Sequence, residues 1–188
     1  MHVLTVLDHP NLDSLSAAVA RSFMDGAVLA GHSTELADLN AEGFDPRWTQ
    51  ADADGTADLS KEQDRIARAD AICLVFPLFW WGMPPTMKGW VDRVWSWGWA
   101  YDQLDDPNKS LQPKRSATFL VPAGASSTTM QDKGYQTALE HLWREGTFGY
   151  FGFAPLRIEF LCGSTGSDVR RKGLLHRAFE CGQAIGQS

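Results

Sequence analysis

The chain has 188 residues, 44% hydrophobic and 21% charged, with a formal net charge of -6. That composition fits one compact domain over residues 1–188 and excludes a fibre, a disordered tail or a multi-domain assembly; a chain of this size buries roughly 70% of its unfolded surface and needs neither a disulfide nor a structural metal to fold. The acidic balance and the lack of any Lys/Arg run argue against nucleic acid or an anionic membrane surface as the main partner, since both attract a clustered basic face.

In chain order, Val3 to Leu7 forms a short apolar run that ends in Asp8 and has no basic residues before it, so it reads as a strand and not as a signal-peptide core. Helical periodicity follows from Ser14 to Ala30, with Ser14 as N-cap and Gly31 as stop. Ser33 to Leu39 mixes Glu35 and Asp38 with apolar residues and reads as an edge strand. The acidic, turn-rich segment Asn40 to Leu59 is a surface excursion that Phe44 and Trp48 can anchor as one wall of a pocket. Ser60 to Arg68 is helical, with Ser60 and Gln63 spaced as a capping box. Ala71 to Phe76 is the most apolar strand, and the run it opens, Ala71 to Trp81, is broken by Pro77 and falls far short of the roughly 20 residues that span a bilayer. Pro84 and Pro85 start a helix reaching Trp97. A strand over Ala117 to Val121, a helix over Tyr135 to Phe148, an edge strand over Leu156 to Leu161 with Arg157 and Glu159, and a helix over Asp168 to Ile185 complete the pattern.

Strand and helix alternate five times, which implies a parallel sheet with helices on both faces, because right-handed crossovers are the usual way to join parallel strands. The two mixed strands belong at the edges. That placement gives the order 2-1-3-4-5, a flavodoxin-like doubly wound α/β sheet whose ligands bind beyond the carboxyl ends of strands one, three and four. Cys73, Cys162 and Cys181 are odd in number and lack the spacing of a zinc site or redox dithiol, so the chain is read as metal-free and cytoplasmic.

Chemistry is therefore sought in the loops after the first, third and fourth strands. The first, Asp8 to Ser16, lacks the glycines of a dinucleotide fingerprint, and the chain has no Walker A sequence. Ser14, Ser16, His9 and the helix start can hold a phosphate, or Ser14 is an ordinary N-cap. Asp8 and Asp13 count against an anion unless they point away or bond to the backbone. The second loop, Phe76 to Pro85 (FPLFWWGMPP), places large aromatic groups where a soluble chain would put polar turn residues. This suits a flat conjugated ring, or alternatively core or subunit packing. Of the chain's 8 tryptophans, Trp80, Trp81, Trp90, Trp95, Trp97 and Trp99 fall between positions 80 and 99, and Trp90 and Trp97 share a helical face with Val94. The third loop, Pro122 to Ser127 (PAGASS), is small enough for backbone to approach a ligand.

Three pieces carry a resemblance: His9 with Ser14 to Ala17, the run FPLFWWGMPPTMKGWVDRVWSWGWAY from Phe76 to Tyr101, and YFGFAPL from Tyr150 to Leu156. Together they resemble the NAD(P)H:quinone oxidoreductase family of DT-diaphorase-like flavoproteins, in its compact bacterial form without the long C-terminal extension of the animal enzymes. The resemblance implies that His9, Ser14, Leu15, Ser16 and Ala17 hold the flavin phosphates and that Leu78, Phe79, Trp80 and Trp81 lie along the flavin ring. It further implies that Trp81 and Tyr101 line the substrate pocket and that Pro122, Ala123, Gly124 and Ala125 replace the family's TTGG. The Tyr and His that handle protons in the animal enzymes are not matched. Lys133 stands near the His position with Tyr135 close by, which leaves Tyr135, Lys133 or water to deliver the proton, while His141 lies further on as packing or surface.

The function implied is a flavin-dependent NAD(P)H oxidoreductase that reduces quinones or similar flat acceptors by two-electron, ping-pong hydride transfer, with FAD favoured over FMN. The family implies a homodimer with active sites at the subunit boundary, which offers a use for Trp90, Trp95, Trp97 and Trp99. Alternatives are a flavin-binding regulatory subunit of a glutathione-gated potassium efflux transporter and an electron-carrier flavodoxin. A hydrolase is disfavoured because GxSxG is absent.

Overall fold

The computed structural model describes residues 1–102 and 110–186. Strand β1 (His2–Leu7) leads into helix α1 (Leu15–Leu29), then β2 (Ser33–Asp38), a short α2 (Gln50–Ala53), α3 (Ser60–Arg68), β3 (Ala71–Val75) and α4 (Pro85–Val94). The second half runs β4 (Arg115–Ala123), α5 (Ser127–Asp132), α6 (Tyr135–His141), β5 (Phe153–Cys162) and α7 (Asp168–Gln183). All strand pairs are parallel and the order is β2-β1-β3-β4-β5, as the alternation requires. Leu7 is in register with Asp38 on one side and Val75 on the other, so the ends of the inner strands open on one edge.

Each strand is buried on both faces in the middle of the sheet, which explains its unbroken apolar run. On one face Val3, Leu7, Cys73, Val75 and Leu161 meet α1 and α7. On the other, Leu4, Val6, Leu74, Phe119 and Val121 meet an aromatic cluster that includes Phe76, Trp90, Trp95, Trp143 and Phe148. Burial pushes the Cys181 thiol up to about 11 and the Cys73 thiol well above its ordinary value, and it also raises Cys162. No group of residues able to hold a metal ion occurs among the described residues.

Several boundaries differ from the periodicity. Helix α4 stops at Val94, so Trp97 leaves the face of Trp90 and Val94 and stands 64% exposed. Trp90 and Trp95 are core residues and are not available to a subunit boundary. Ser60 does not cap α3: Leu59 is its N-cap, and Ser60 instead donates from its N–H and hydroxyl to Asp58 Oδ1. The helix from Tyr135 keeps α geometry only to His141 and then widens to π-helical hydrogen bonding over Leu142–Phe148. The excursion after β2 contains α2, and it is anchored by Phe44, packed against the core, while Trp48 is exposed. Strand β4 extends through Pro122 and Ala123, which shortens the third loop, and Ser127 already belongs to α5.

Candidate functional site

The carboxyl edge of the sheet gathers the three loops. After β1, the Ser14 side chain caps α1 by accepting from the Ala17 N–H at 3.1 Å. Ser16 and Ala17 are buried in the first turn, beside the helix dipole's positive end. The His9 ring Nδ1 accepts from the Asn11 N–H at 3.0 Å, which leaves Nε2 as the ring's donor. Asp8 is turned away from this mouth. Its Oδ2 accepts from the Met87 N–H at 2.6 Å and its Oδ1 from Asn40 Nδ2 at 2.7 Å, which fastens the start of α4 and the end of β2 to the first loop. Burial raises the Asp8 carboxyl above its ordinary value, and the bonds from Asn40 and Met87 oppose that shift.

The second loop is a tight hairpin. Phe79 and Gly82 exchange both main-chain hydrogen bonds, at 3.1 and 2.9 Å, which leaves Trp80 and Trp81 as the two central residues. Both sit at positive φ, 44° and 62°, in the left-handed region where turns of this type prefer Asn and Gly. The cost for an L-residue is about 1–2 kcal/mol each. The chain gains no burial in return from Trp80, whose side chain is 97% exposed. Trp81, 37% exposed, lies against Tyr135 with ring centroids 3.8 Å apart. Strain at Trp80 without internal packing gain is the pattern expected where an exposed aromatic serves a ligand.

The Leu78 N–H donates to the Pro122 carbonyl at 2.8 Å and so ties the second loop to the end of β4. The Ala123 and Ala125 carbonyls accept from the Ser164 and Gly163 N–H groups, which ties the third loop to the turn after β5. Between these loops lies a slot of about 270 Å³ lined by Leu78, Trp80, Trp81, Gly124 and Ala125. The main-chain N–H groups of Trp80, Trp81, Gly124 and Ala125 meet no acceptor among the described residues. Gly124 is not at positive φ, and a Cβ there would meet only Thr165 Cγ2 at 3.9 Å. Neither backbone nor packing within the chain demands glycine at that position; the open space borders the slot.

A second cavity of about 500 Å³ shares Trp81 with the slot and is lined by Met83, Trp95, Tyr101, Trp143 and Phe151 among others. Trp81 and Tyr101, the two residues implied for the substrate, thus border one apolar space. Tyr135 is brought to Trp81, whereas Lys133 is an exposed residue at the end of α5 whose side chain makes no ion pair among the described residues. His141 is exposed at the end of α6.

No motif or spacing marks Arg170. It lies in the first turn of α7, and its guanidinium covers Gly163 so closely that a Cβ on that glycine would overlap it. The basic run Arg170, Arg171 and Lys172 just after an N-cap was the available signal.

A family model described as flavodoxin-like fold matches residues 1–180. The chain belongs to the flavodoxin-like fold family. The flavodoxin-like match extends to solved structures: an NAD(P)H:quinone oxidoreductase from Methanothermobacter marburgensis has a TM-score of 0.89 at 30% identity, over 97% of this chain and 98% of that one. A Haemophilus influenzae protein named as an uncharacterized NAD(P)H oxidoreductase is 28% identical over 98% of this chain and 95% of its own length. The human ribosyldihydronicotinamide dehydrogenase (quinone) is 26% identical over 92% of this chain and 87% of its own. No helix among the described residues is long and apolar enough to cross a membrane.

Proposed function

We propose that this flavodoxin-like protein is a flavin-dependent NAD(P)H:quinone oxidoreductase, built as one domain over residues 1–188 and working in the cytoplasm. The observation that carries the reading is the pair Trp80 and Trp81, held at positive φ with the first indole in solvent, beside a slot with unpaired main-chain donors. The residues present fit a flavin: apolar faces on one side, a bare glycine on the other, and a capped helix start within the same edge. A neighbour named an NAD(P)H:quinone oxidoreductase, a relative named an NAD(P)H oxidoreductase and a relative named a ribosyldihydronicotinamide dehydrogenase (quinone) support the same reading.

The first loop binds phosphate. His9 Nε2, the Ser14 and Ser16 hydroxyls and the N–H groups of Leu15 and Ser16 supply donors, and Ala17 closes the first turn through its bond to Ser14. Leu78, Phe79, Trp80 and Trp81 cover a flat ring and exclude water from it. The stretch Pro122 to Ala125 brings backbone up to the ring's polar edge: Pro122 has no N–H, but its carbonyl holds Leu78 in place, and Gly124 and Ala125 donate. Once bound, the flavin supplies hydride acceptance from NAD(P)H and hydride donation to a quinone. Tyr135, tilted against Trp81, holds the proton for the acceptor at its phenolic oxygen, and exposed Lys133 is a second donor. Trp81 and Tyr101 border the space in which the flat acceptor lies.

The flavin is FAD, the form that the resemblance to quinone reductases implies. Reversed-phase separation of the heat-released pigment distinguishes it from FMN. The working unit is a homodimer, with exposed Trp97 available to the partner, and sedimentation velocity gives the mass directly. Anaerobic stopped-flow of the yellow protein tests the activity: NAD(P)H bleaches the visible flavin band and a naphthoquinone restores it. Protein purified with FAD and FMN supplied that carries neither would overturn the reading.

A further inference from the structure

Helix α4 begins without a cap of its own. Pro84 stands at the N-cap and Pro85 at the first helical position, so neither supplies a side-chain acceptor or an N–H, and the first bond within the helix runs from the Lys88 N–H to the Pro84 carbonyl at 2.9 Å. The Met87 N–H lies at the third helical position, where a capping side chain normally accepts. Its acceptor comes from 79 residues away: Asp8 Oδ2, at 2.6 Å. Asp8 is 3% exposed at the end of β1, its own N–H donates to the Val75 carbonyl at 3.0 Å, and Asn40 Nδ2 donates to its other oxygen at 2.7 Å. An apolar side chain there would extend the buried run of β1 without the cost of desolvating a carboxylate, so the acid is explained by the cap and not by the core.

The cap matters because of what precedes it. Gly82 closes the hairpin that carries Trp80 and Trp81, and only Met83, Pro84, Pro85 and Thr86 separate it from Met87. The fixed φ of the paired prolines makes that segment a stiff strut. A turn with two L-residues at positive φ persists only where its surroundings hold it. This one has two feet: Leu78, whose N–H is bonded to the Pro122 carbonyl, and the strut that ends on Asp8. His9, the next residue along, presents Nε2 to the proposed phosphate grip. One buried side chain thus ties the two ends of the site to each other.

We propose that Asp8 is a positioning residue that caps α4 from the first loop and thereby holds the aromatic hairpin in place relative to the phosphate-binding donors. The proposal deepens the flavin-dependent reading and rests on it for the ligand. It gives the acid next to the phosphate loop a use that does not require it to face the anion.

The first readout needs no flavin. Amide hydrogen exchange at Phe79 and Gly82, whose N–H groups close the hairpin, should speed about tenfold in apoprotein carrying Asp8→Ala. Asp8→Asn keeps an oxygen for the Met87 N–H and should stay within about threefold of the parent. FMN and FAD are then titrated into each apoprotein by fluorescence. Asp8→Ala is expected to weaken the flavin about tenfold and to change the visible circular dichroism of the bound ring, and Asp8→Asn to restore both. Pro85→Gly slackens the strut at an exposed position with Asp8 intact; it should move exchange and affinity in the same direction, and it keeps the test alive if Asp8→Ala does not fold. Glu62→Ala is the control for stability alone: it strips the buried Trp90 N–H of its acceptor from another helix and should leave hairpin exchange and the flavin spectrum unmoved. Unchanged exchange and affinity in Asp8→Ala or in Pro85→Gly, equal losses in Asp8→Ala and Asp8→Asn, or the same response in Glu62→Ala would each overturn the assignment while leaving the flavin reading intact. Parent protein that binds neither FMN nor FAD would instead remove that reading, and the assignment with it.

Discussion

The two faces of the sheet are packed by different means. Under α1 and α7 the chain uses small residues, Ala17, Ala20, Ala27 and Ala178, and the two helices touch at their backbones. A Cβ on Gly26 would overlap the Phe179 carbonyl oxygen, and one on Gly182 would overlap that of Phe23. The opposite face is filled with large rings that leave a cavity of about 500 Å³. Close helix contact makes one side a stiff base for the strand ends, whereas rings that meet edge to face leave space for a ligand on the other. Glycine shows the difference most plainly: at positions 26 and 182 the fold requires it, and at 124 the fold does not.

The largest effect should come from attacking the tight face. Gly182→Val is expected to cost about 3 kcal/mol in urea denaturation, because the intruding atoms meet backbone that cannot move aside. A loss under about 1 kcal/mol would show that the helices can part, and the contrast between faces would fail. Gly124→Val is the counterpart. Its stability should stay within about 0.5 kcal/mol of the parent while flavin affinity, read by fluorescence titration of the apoprotein, falls about tenfold. Trp80→Gly sharpens the same point from the second loop. Relief of the left-handed backbone should raise apoprotein stability by about 1 kcal/mol, and flavin affinity should drop; a destabilised variant would mean that the exposed indole supports the fold.

The smallest effect separates two carboxylates by pH. Burial raises the Asp8 carboxyl in the folded protein, so its contribution is fully present below about pH 3.8 and is lost as pH rises through the native value. Glu35 behaves in the opposite sense. Burial alone would raise it, but hydrogen bonds from His2 and Arg68 and the charges of Arg68 and Arg65 together lower it. Its contribution is present above about pH 4.5 and lost as pH falls through the native value. Asp8→Asn should therefore steepen the loss of stability on acidification and Glu35→Gln should flatten it, each by a few tenths of a kcal/mol, the first because the bonds from Asn40 and Met87 oppose burial and the second because Glu35 stays partly solvated. Parallel denaturation series over pH 3 to 7 would show whether the slopes diverge.

Much of the fold was legible because it depends on burial and capping, which leave marks in short windows. The run Ala71 to Phe76 is apolar because both faces of β3 are covered, and Ser14 caps α1 because its hydroxyl lies three residues before a free N–H. The aromatic residues after β3 are also conspicuous in the sequence, and the structure leaves Phe79, Trp80 and Trp81 exposed at the carboxyl edge. What could not be read was geometry set by distant partners. Nothing near Val94 marks the end of α4, and no local pattern tells the satisfied N–H of Trp90 from the unpaired one of Trp95. Asp8, an obstacle to phosphate on paper, proves to be a brace because Met87, distant in sequence, arrives beside it. The left-handed pair at Trp80 and Trp81 contradicts local preference, and a conflict of that kind is where sequence rules fail for functional reasons.

The three cysteines have a bearing on the chemistry although they take no part in it. Quinones are electrophiles, and they arylate proteins by conjugate addition of a thiolate. Cys73, Cys162 and Cys181 are all held on the protonated side by burial, and the first and last are sealed under α1 and α7. On the proposed quinone-reductase reading the protein meets such compounds at every turnover and offers them few nucleophiles of its own, so the stiff face of the sheet doubles as armour against self-inactivation.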